Sequence, residues 1–326
     1  MKSETLIKEV DNTAIEDLIK IRREEYLNSP LRIVEDYKNE NKNIDEYNGR
    51  QLLEMIQNAN DESDTFKTKK VLIKLNEDSL IIANNGNPFS LGGVESLMYS
   101  DLSPKTMEEN KVGKKGLGFR SILNWSKEIY IASYGLHLKF SQNHAEGFLK
   151  SLLKEKPELE ETLKRKTKNK IPISVLRCPY LETDTSKKKH TEYDTVIELS
   201  LEDNVYDKIT KQIDADIVPE VLIFLNKLEE VEVETPEAHF SFSKEFDAVE
   251  NQITIIKKDF LEPENNQEWL WNILEDKGEI EGLEEAKNYE LKIAYNPNEE
   301  VTFHKLFSYF RTEIDFPFPV IAHGSF

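Results

Sequence analysis

One cysteine, Cys178, stands in 326 residues, so no internal disulfide can form and no cysteine-rich zinc site can be built. A chain of that kind fits a reducing compartment, and a cytoplasmic location is expected. The six histidines are scattered, with no H-E-x-x-H pair to suggest a zinc hydrolase. No G-x-S-x-G elbow points to a serine hydrolase. No apolar run approaches the ~20 residues that cross a bilayer. The opening MKSETLIKEVDN is charged where a signal peptide would be apolar. Positive charge is also scarce: 43 Lys and Arg face 62 Asp and Glu, a net charge of −19. Such a surface repels phosphodiester backbones and anionic lipid, so neither direct DNA contact nor membrane binding is expected of this region.

What is present is enough to fold. Hydrophobic residues make up 38% and aromatics 10% of the chain, which excludes a disordered polymer despite its charge. Residues 14–40 carry Ile15, Leu18, Ile19, Ile21 and Tyr26 at helical spacing, predicting one or two helices broken near Pro30. GRQLLEMIQNAND, residues 49–61, is a third helix, with Asn48 available to cap it. KVLIKLNEDSLIIANNG reads as a hairpin, and EIYIASYGLHLKF as another with Gly135 at its bend. Between them lie a short helix, a polar loop, and the glycine-rich GKKGLGFRSILNW running into a helix. Residues 145–190 form a lysine-rich, helix-prone insertion, expected as a solvated excursion. TEYDTVIELSL restores a strand, helices follow over 204–226, and LEEVEVE is a further strand. From about residue 236 the texture changes. FSFSKEF, NQITIIKK and YELKIAYN are strand-like, EWLWNILED is amphipathic, and the aromatic stretch KLFSYFRTEIDFPFPVIAHGSF suggests the start of a second domain of a longer protein.

Three short segments carry candidate chemistry. On the third helix, Glu54, Asn58 and Asp61 share one face while Leu52, Met55, Ile56 and Ala59 share the other. A polar stripe on a helix ordinarily faces solvent; it can also present a carboxamide oxygen to Mg²⁺ and a carboxylate to an attacking water. In IIANNGNPF, Asn84 ends a strand before a turn in which Gly86 permits a left-handed residue, so it could read a base edge or merely make the turn. Gly113, Gly116 and Gly118 would let backbone approach a phosphate, with Lys114 and Lys115 adding charge and the following helix aiming free N–H groups. Their G-x-x-G-x-G spacing matches neither the Walker nor the dinucleotide fingerprint and could serve chain geometry alone.

The order of these pieces resembles the GHKL superfamily: E-x-x-x-N-A-x-D on a helix, a strand ending in N-N-G, then G-x-x-G-x-G-F-x-S opening a helix. That resemblance implies an α/β (α+β) fold, a two-layer Bergerat sandwich whose mixed sheet is covered on one side by helices. It implies a nucleotide-binding domain over residues 1–235 and the beginning of a following domain over 236–326. It makes Glu54 the general base and Asn58 the Mg²⁺ ligand, with Asn84 in the position of an adenine-binding aspartate. Gly86 would belong to the base pocket. Gly113, Lys114, Lys115, Gly116, Leu117 and Gly118 would be the phosphate turn, residues 91–112 the lid, and Thr195 a base-pocket hydroxyl, with Asp194 where a glycine is usual. ATP and Mg²⁺ are the implied ligands, and a homodimer formed through the N-terminal domain is the implied assembly. NNGNPFS, PEVLIFLNKLEEVEVE and the aromatic end resemble the sacsin-type, chaperone-like branch. The expected function is Mg-dependent ATP hydrolysis driving a conformational switch in a chaperone-like or prokaryotic defence-type ATPase. The alternative is a nucleotide-binding interaction module with little catalysis.

Overall fold

The computed structural model describes residues 12–63, 68–99, 118–167, 171–183, 192–280, 287–298 and 305–325. Two helices, α1 (Asn12–Asn28) and α2 (Arg32–Glu46), meet at Pro30 as expected, and α3 spans Gln51–Glu62. The hairpin β1 (Lys70–Leu75) and β2 (Ser79–Asn84) leads to α4 (Leu91–Met98), then to a 3-10 helix over Gly118–Asn124. After β3 (Ser126–Ser133) and β4 (Leu136–Ser141) come α5 (Gln142–Glu155), α6 (Glu158–Thr167), β5 (Tyr180–Leu181) and β6 (Thr195–Leu201). Helix α7 (Tyr206–Asp216) and β7 (Glu230–Glu234) follow. The remaining elements are strands: β8 (His239–Asp247), β9 (Gln252–Asp259), β10 (Gln267–Ile280), β11 (Lys287–Tyr295), β12 (Lys305–Ser308), β13 (Phe310–Asp315) and β14 (Ile321–Ser325), with one 3-10 turn at Pro263–Asn265.

The fourteen strands among the described residues form one mixed sheet, in the order β13-β12-β14-β11-β10-β9-β8-β7-β1-β2-β6-β3-β4-β5. The fold is therefore α/β with a large mixed sheet, as the sequence leads one to expect. The expected boundary near residue 235 falls in the turn between β7 and β8, which pair antiparallel, so the later strands extend the same sheet. EWLWNILED lies in β10, where its amphipathicity has a period of two: Trp271 and Ile273 are buried, while Leu274 between Ile273 and Glu275 is exposed.

Strand register explains which face is the core. Val71, Ile73 and Leu75 stand beside Asn84, Ile82 and Leu80, which in turn stand beside Thr195, Ile197 and Leu199. Residues in direct register share a face, and these apolar positions join α3, α4 and α7 in the main core. On α3 the predicted face holds: Leu52, Met55, Ile56 and Ala59 are all buried. Asn48 does not cap the helix. Its Oδ1 accepts from Gln51 Nε2 at 3.1 Å, and the free amide of Leu52 is met at 3.5 Å by Gln212 Oε1 of α7.

The segment expected as a solvated excursion is different. Leu149, Leu152, Leu159 and Leu163 of α5 and α6 are buried with Tyr26, Ile33 and Val34 in a second core. Heptad-like leucines beneath the lysines carry that contact; the charges are simply the outer face. Glu40, buried on α2, fixes the chain after α6 by accepting from Ser174 Oγ (2.7 Å), Val175 N (2.8 Å) and Leu176 N (3.0 Å).

Buried arginines tie this second core to α4. Arg177 pairs with Asp36 at 2.8 Å and donates to the Met98 carbonyl at 2.8 Å. Arg120 donates to the Leu97 carbonyl at 3.1 Å and to that of Tyr99, and the Arg22 guanidinium lies 3.9 Å above the Tyr99 ring. Together they satisfy the carbonyls that a helix leaves free at its C-terminus, where its dipole is negative. Arg177→Ala leaves Asp36 buried without its closest cation, and breaking such a pair costs about 3–5 kcal/mol. Urea unfolding of that variant should show a loss on this scale, partly recovered in Arg177→Met/Asp36→Asn.

Candidate functional site

Asn84, Thr195 and Ser133 lie in one row across β2, β6 and β3, at the end of the helix-facing side of the sheet. Each occupies a position whose parity along its strand is otherwise apolar: Leu80 and Ile82, Ile197 and Leu199, Ile129 and Ile131. All three are buried. Polar groups at core positions must be bonded or must face something polar. Ser133 and Thr195 bond each other at 2.8 Å, and Ser133 Oγ also accepts from Phe89 N at 2.9 Å. The Asn84 side chain has no hydrogen-bond partner among the described residues.

Asn84 and Thr195 of this row floor an open cleft, with Ser133 beneath. One wall is α3, contributing Met55, Asn58, Ala59 and Asp61; another is the stretch from Asn87 through α4, contributing Phe89, Ser96 and Leu97; Phe119 and Ile197 complete the apolar lining. The polar stripe of α3 thus faces inward rather than to solvent. Asp61 is buried and Asn58 half-buried at the cleft, while Glu54 lies one turn nearer the helix start.

Glu54 packs against Gly118. A Cβ built at Gly118 would sit 2.6 Å from the Glu54 Cδ and 2.7 Å from its Cγ, so only a glycine leaves room for the carboxylate. Burial raises the Glu54 pKa above the ordinary carboxylate value; the Arg50 charge opposes that shift and the Asp61 charge adds to it.

Gly86 needs its small size for a reason other than the expected one. Its φ lies outside the left-handed region, and a Cβ there would fall 2.8 Å from the Glu62 carbonyl carbon. The turn is drawn onto the end of α3 by Asn87 N, which donates to the Glu62 carbonyl at 2.7 Å. Asp194, standing where a glycine was expected, accepts from Gly86 N at 3.0 Å, and its own N–H donates to Asn85 Oδ1 at 3.2 Å. The two polar turns hold each other, which accounts for an aspartate beside Thr195.

Of the residues singled out in the sequence, Glu54, Asn58, Asn84, Gly86, Gly118 and Thr195 come together around or beside this cleft. Gly113, Lys114, Lys115, Gly116 and Leu117 lie outside the described residues, as do residues 100–112 of the expected lid. The first part of that lid is the capped helix α4, with Val94, Leu97 and Met98 buried and Ser90 Oγ accepting from Gly93 N at 3.0 Å. The helix expected after the glycines is a seven-residue 3-10 helix. Sequence reasoning missed Ser133 and gave Asp61 no role. Ser133 was detectable as a hydroxyl on apolar parity at the end of EIYIAS.

No protein-family model matches the chain, and no curated protein sequence matches it. Among solved structures, the chain is similar to the B subunit of DNA gyrase from Myxococcus xanthus, with a TM-score of 0.37 and 8% identity over 80% of this chain. The match spans 65% of that subunit's length. Likeness of this degree assigns neither a family nor an activity.

The two close approaches make a graded prediction. Gly86→Ala drives a methyl into backbone, which cannot yield, and should lower stability by about 1–3 kcal/mol, the usual cost of overpacking. Gly118→Ala meets the end of a flexible side chain and should lower stability less, with Glu54 displaced. Paired urea titrations of the two variants check the order.

Proposed function

We propose that the chain is a GHKL-type nucleotide-binding module that binds Mg·ATP in this cleft and hydrolyses it, with Glu54 as the general base. The observation that carries the reading is the inward-turned polar stripe of α3 beside a floor of buried polar groups, with apolar walls suited to a flat heterocycle. Thr195 and Asn84 contact the base in this reading, and Gly86 shapes the turn beside it. The glycine turn with Lys114 and Lys115 holds the phosphates.

Asn58 is the residue for Mg²⁺. Its carboxamide oxygen is a hard donor at the cleft, and no group of three or more acidic, histidine or cysteine side chains suited to a metal occurs among the described residues. That donor set fits an ion held mainly by phosphates and waters. When bound, Mg²⁺ neutralises charge on the phosphates. Glu54 orients a water and takes its proton, and its desolvated carboxylate is a stronger base than one in solvent. Resemblance to the sacsin-type branch suggests that turnover drives a conformational switch in which two copies pair through residues 1–235, the strands after 236 acting as the following unit.

Phosphate release with and without Mg²⁺ tests this. Glu54→Ala should abolish hydrolysis while nucleotide affinity is retained; equal loss of both removes Glu54 from the role of base. Because Glu54 must be ionised to act and its pKa is raised, the acid limb of the rate profile should lie above the ordinary carboxylate range near 4.5. The same shift has a stability counterpart. A carboxyl whose folded pKa is raised favours the fold below its unfolded pKa, and that advantage is lost as pH rises through the folded pKa. Glu54→Gln should therefore be more stable than the parent at neutral pH, with the gap closing on acidification. Thermal melts across that range measure it.

A further inference from the structure

We infer that the cleft accepts guanine as well as adenine nucleotides, because the group at its floor that is free to read a base is a carboxamide able to present either of two opposite hydrogen-bond patterns. The inference rests on the nucleotide reading above and adds the class of base to it.

Asn84 is 8% exposed, and what remains open faces the cleft. Its row neighbours are bonded: Thr195 to Ser133, and Ser133 to the Phe89 amide. Asn84 alone of the three keeps its side-chain amide without a partner among the described residues. Its amide atoms open onto the cleft rather than being sealed from it, so a ligand seated there can take their bonds in place of water. The surroundings specify the shape of that ligand. Met55, Ala59, Ile82, Leu97, Phe119 and Ile197 make apolar walls suited to a planar ring, with the polar side chains of Asn58, Asp61, Asn87 and Ser96 also on the cleft.

The chemistry of the reading group then decides selectivity. A carboxamide sets one acceptor oxygen beside an NH₂ with two donors. Adenine's edge pairs an amino donor with a ring-nitrogen acceptor; guanine's pairs a carbonyl acceptor with a ring N–H donor. These patterns are reversed. Turning the Asn84 amide by half a turn about its last torsion exchanges oxygen and nitrogen with no change of shape. Among the described residues, nothing bonded to the amide holds it in either sense. The Thr195 hydroxyl beside it can likewise donate or accept. A carboxylate at the same position could only accept: it meets the adenine amino group but not the ring nitrogen beside it, and it meets guanine through the ring N–H and 2-amino group instead of the carbonyl.

Calorimetry on the 326-residue chain with Mg·ADP, Mg·GDP and Mg·ATP tests this, with Asn84→Asp as the variant and circular dichroism to confirm that it folds. The parent should bind ADP and GDP with affinities within about tenfold, the span of a single 1.4 kcal/mol step. Asn84→Asp, which can no longer present both patterns, should change the ADP-to-GDP affinity ratio by about fivefold or more, the lower end of about 1–3 kcal/mol for a two-bond base contact. If the parent binds ADP but takes GDP more than about tenfold weaker, the inference falls while the nucleotide reading stands. An unchanged ADP-to-GDP ratio in the variant also overturns it, since Asn84 would not then be the reader. If neither ADP, GDP nor ATP binds the parent, the nucleotide reading itself fails.

Discussion

The whole site depends on one constraint, that α3 buries both of its faces. Its apolar side packs into the main core, and its polar side is turned toward a sheet whose last row is polar as well. Two polar surfaces facing each other inside a protein cannot close onto one another without matched bonds, and desolvation without bonds is costly. They stay apart, and the gap is the cleft. The glycines at 86 and 118 set how near the surrounding chain comes, one against the last turn of α3 and the other against the Glu54 carboxylate.

Much of this was legible in the sequence. The α3 faces, both hairpins and the break at Pro30 follow from periodicity and turn chemistry, which act locally. Glu54, Asn58 and Asn84 could be picked out because each is a polar residue at a telling place in a regular pattern, whereas Thr195 was reached only through the resemblance. The failures share a different cause. Asn48 seemed the natural cap, but the amide it would have met is answered by Gln212, 160 residues away. Lysines between 145 and 190 suggested solvent because the leucines beneath them gain meaning only when α1 and α2 are in position. Gly86 was read through its own dihedral freedom, whereas its size is demanded by a carbonyl of another element. Ser133 was passed over because its significance comes from register with β6. Local rules find elements; tertiary neighbours assign the exceptions.

The helices of the second core bear on the cleft through α4. Gly93, Ser96 and Leu97 of α4 line the cleft, and its C-terminal carbonyls are held by Arg120 and Arg177. Shifting α4 would uncover two buried cations together with Asp36, at the cost of breaking a buried ion pair. The wall formed by α4 is accordingly anchored at its C-terminal end.

The unbroken sheet has a mechanical meaning. Asn84 lies on β2, which is laddered to β1; β1 runs parallel to β7, and β7 joins the strands that end at β13. Hydrogen-bonded ladders resist shear and pass twist from strand to neighbouring strand. A change of twist at either end is passed on only as far as each ladder holds, and the thinnest on the way to β13 is the single Phe307–His323 register between β12 and β14.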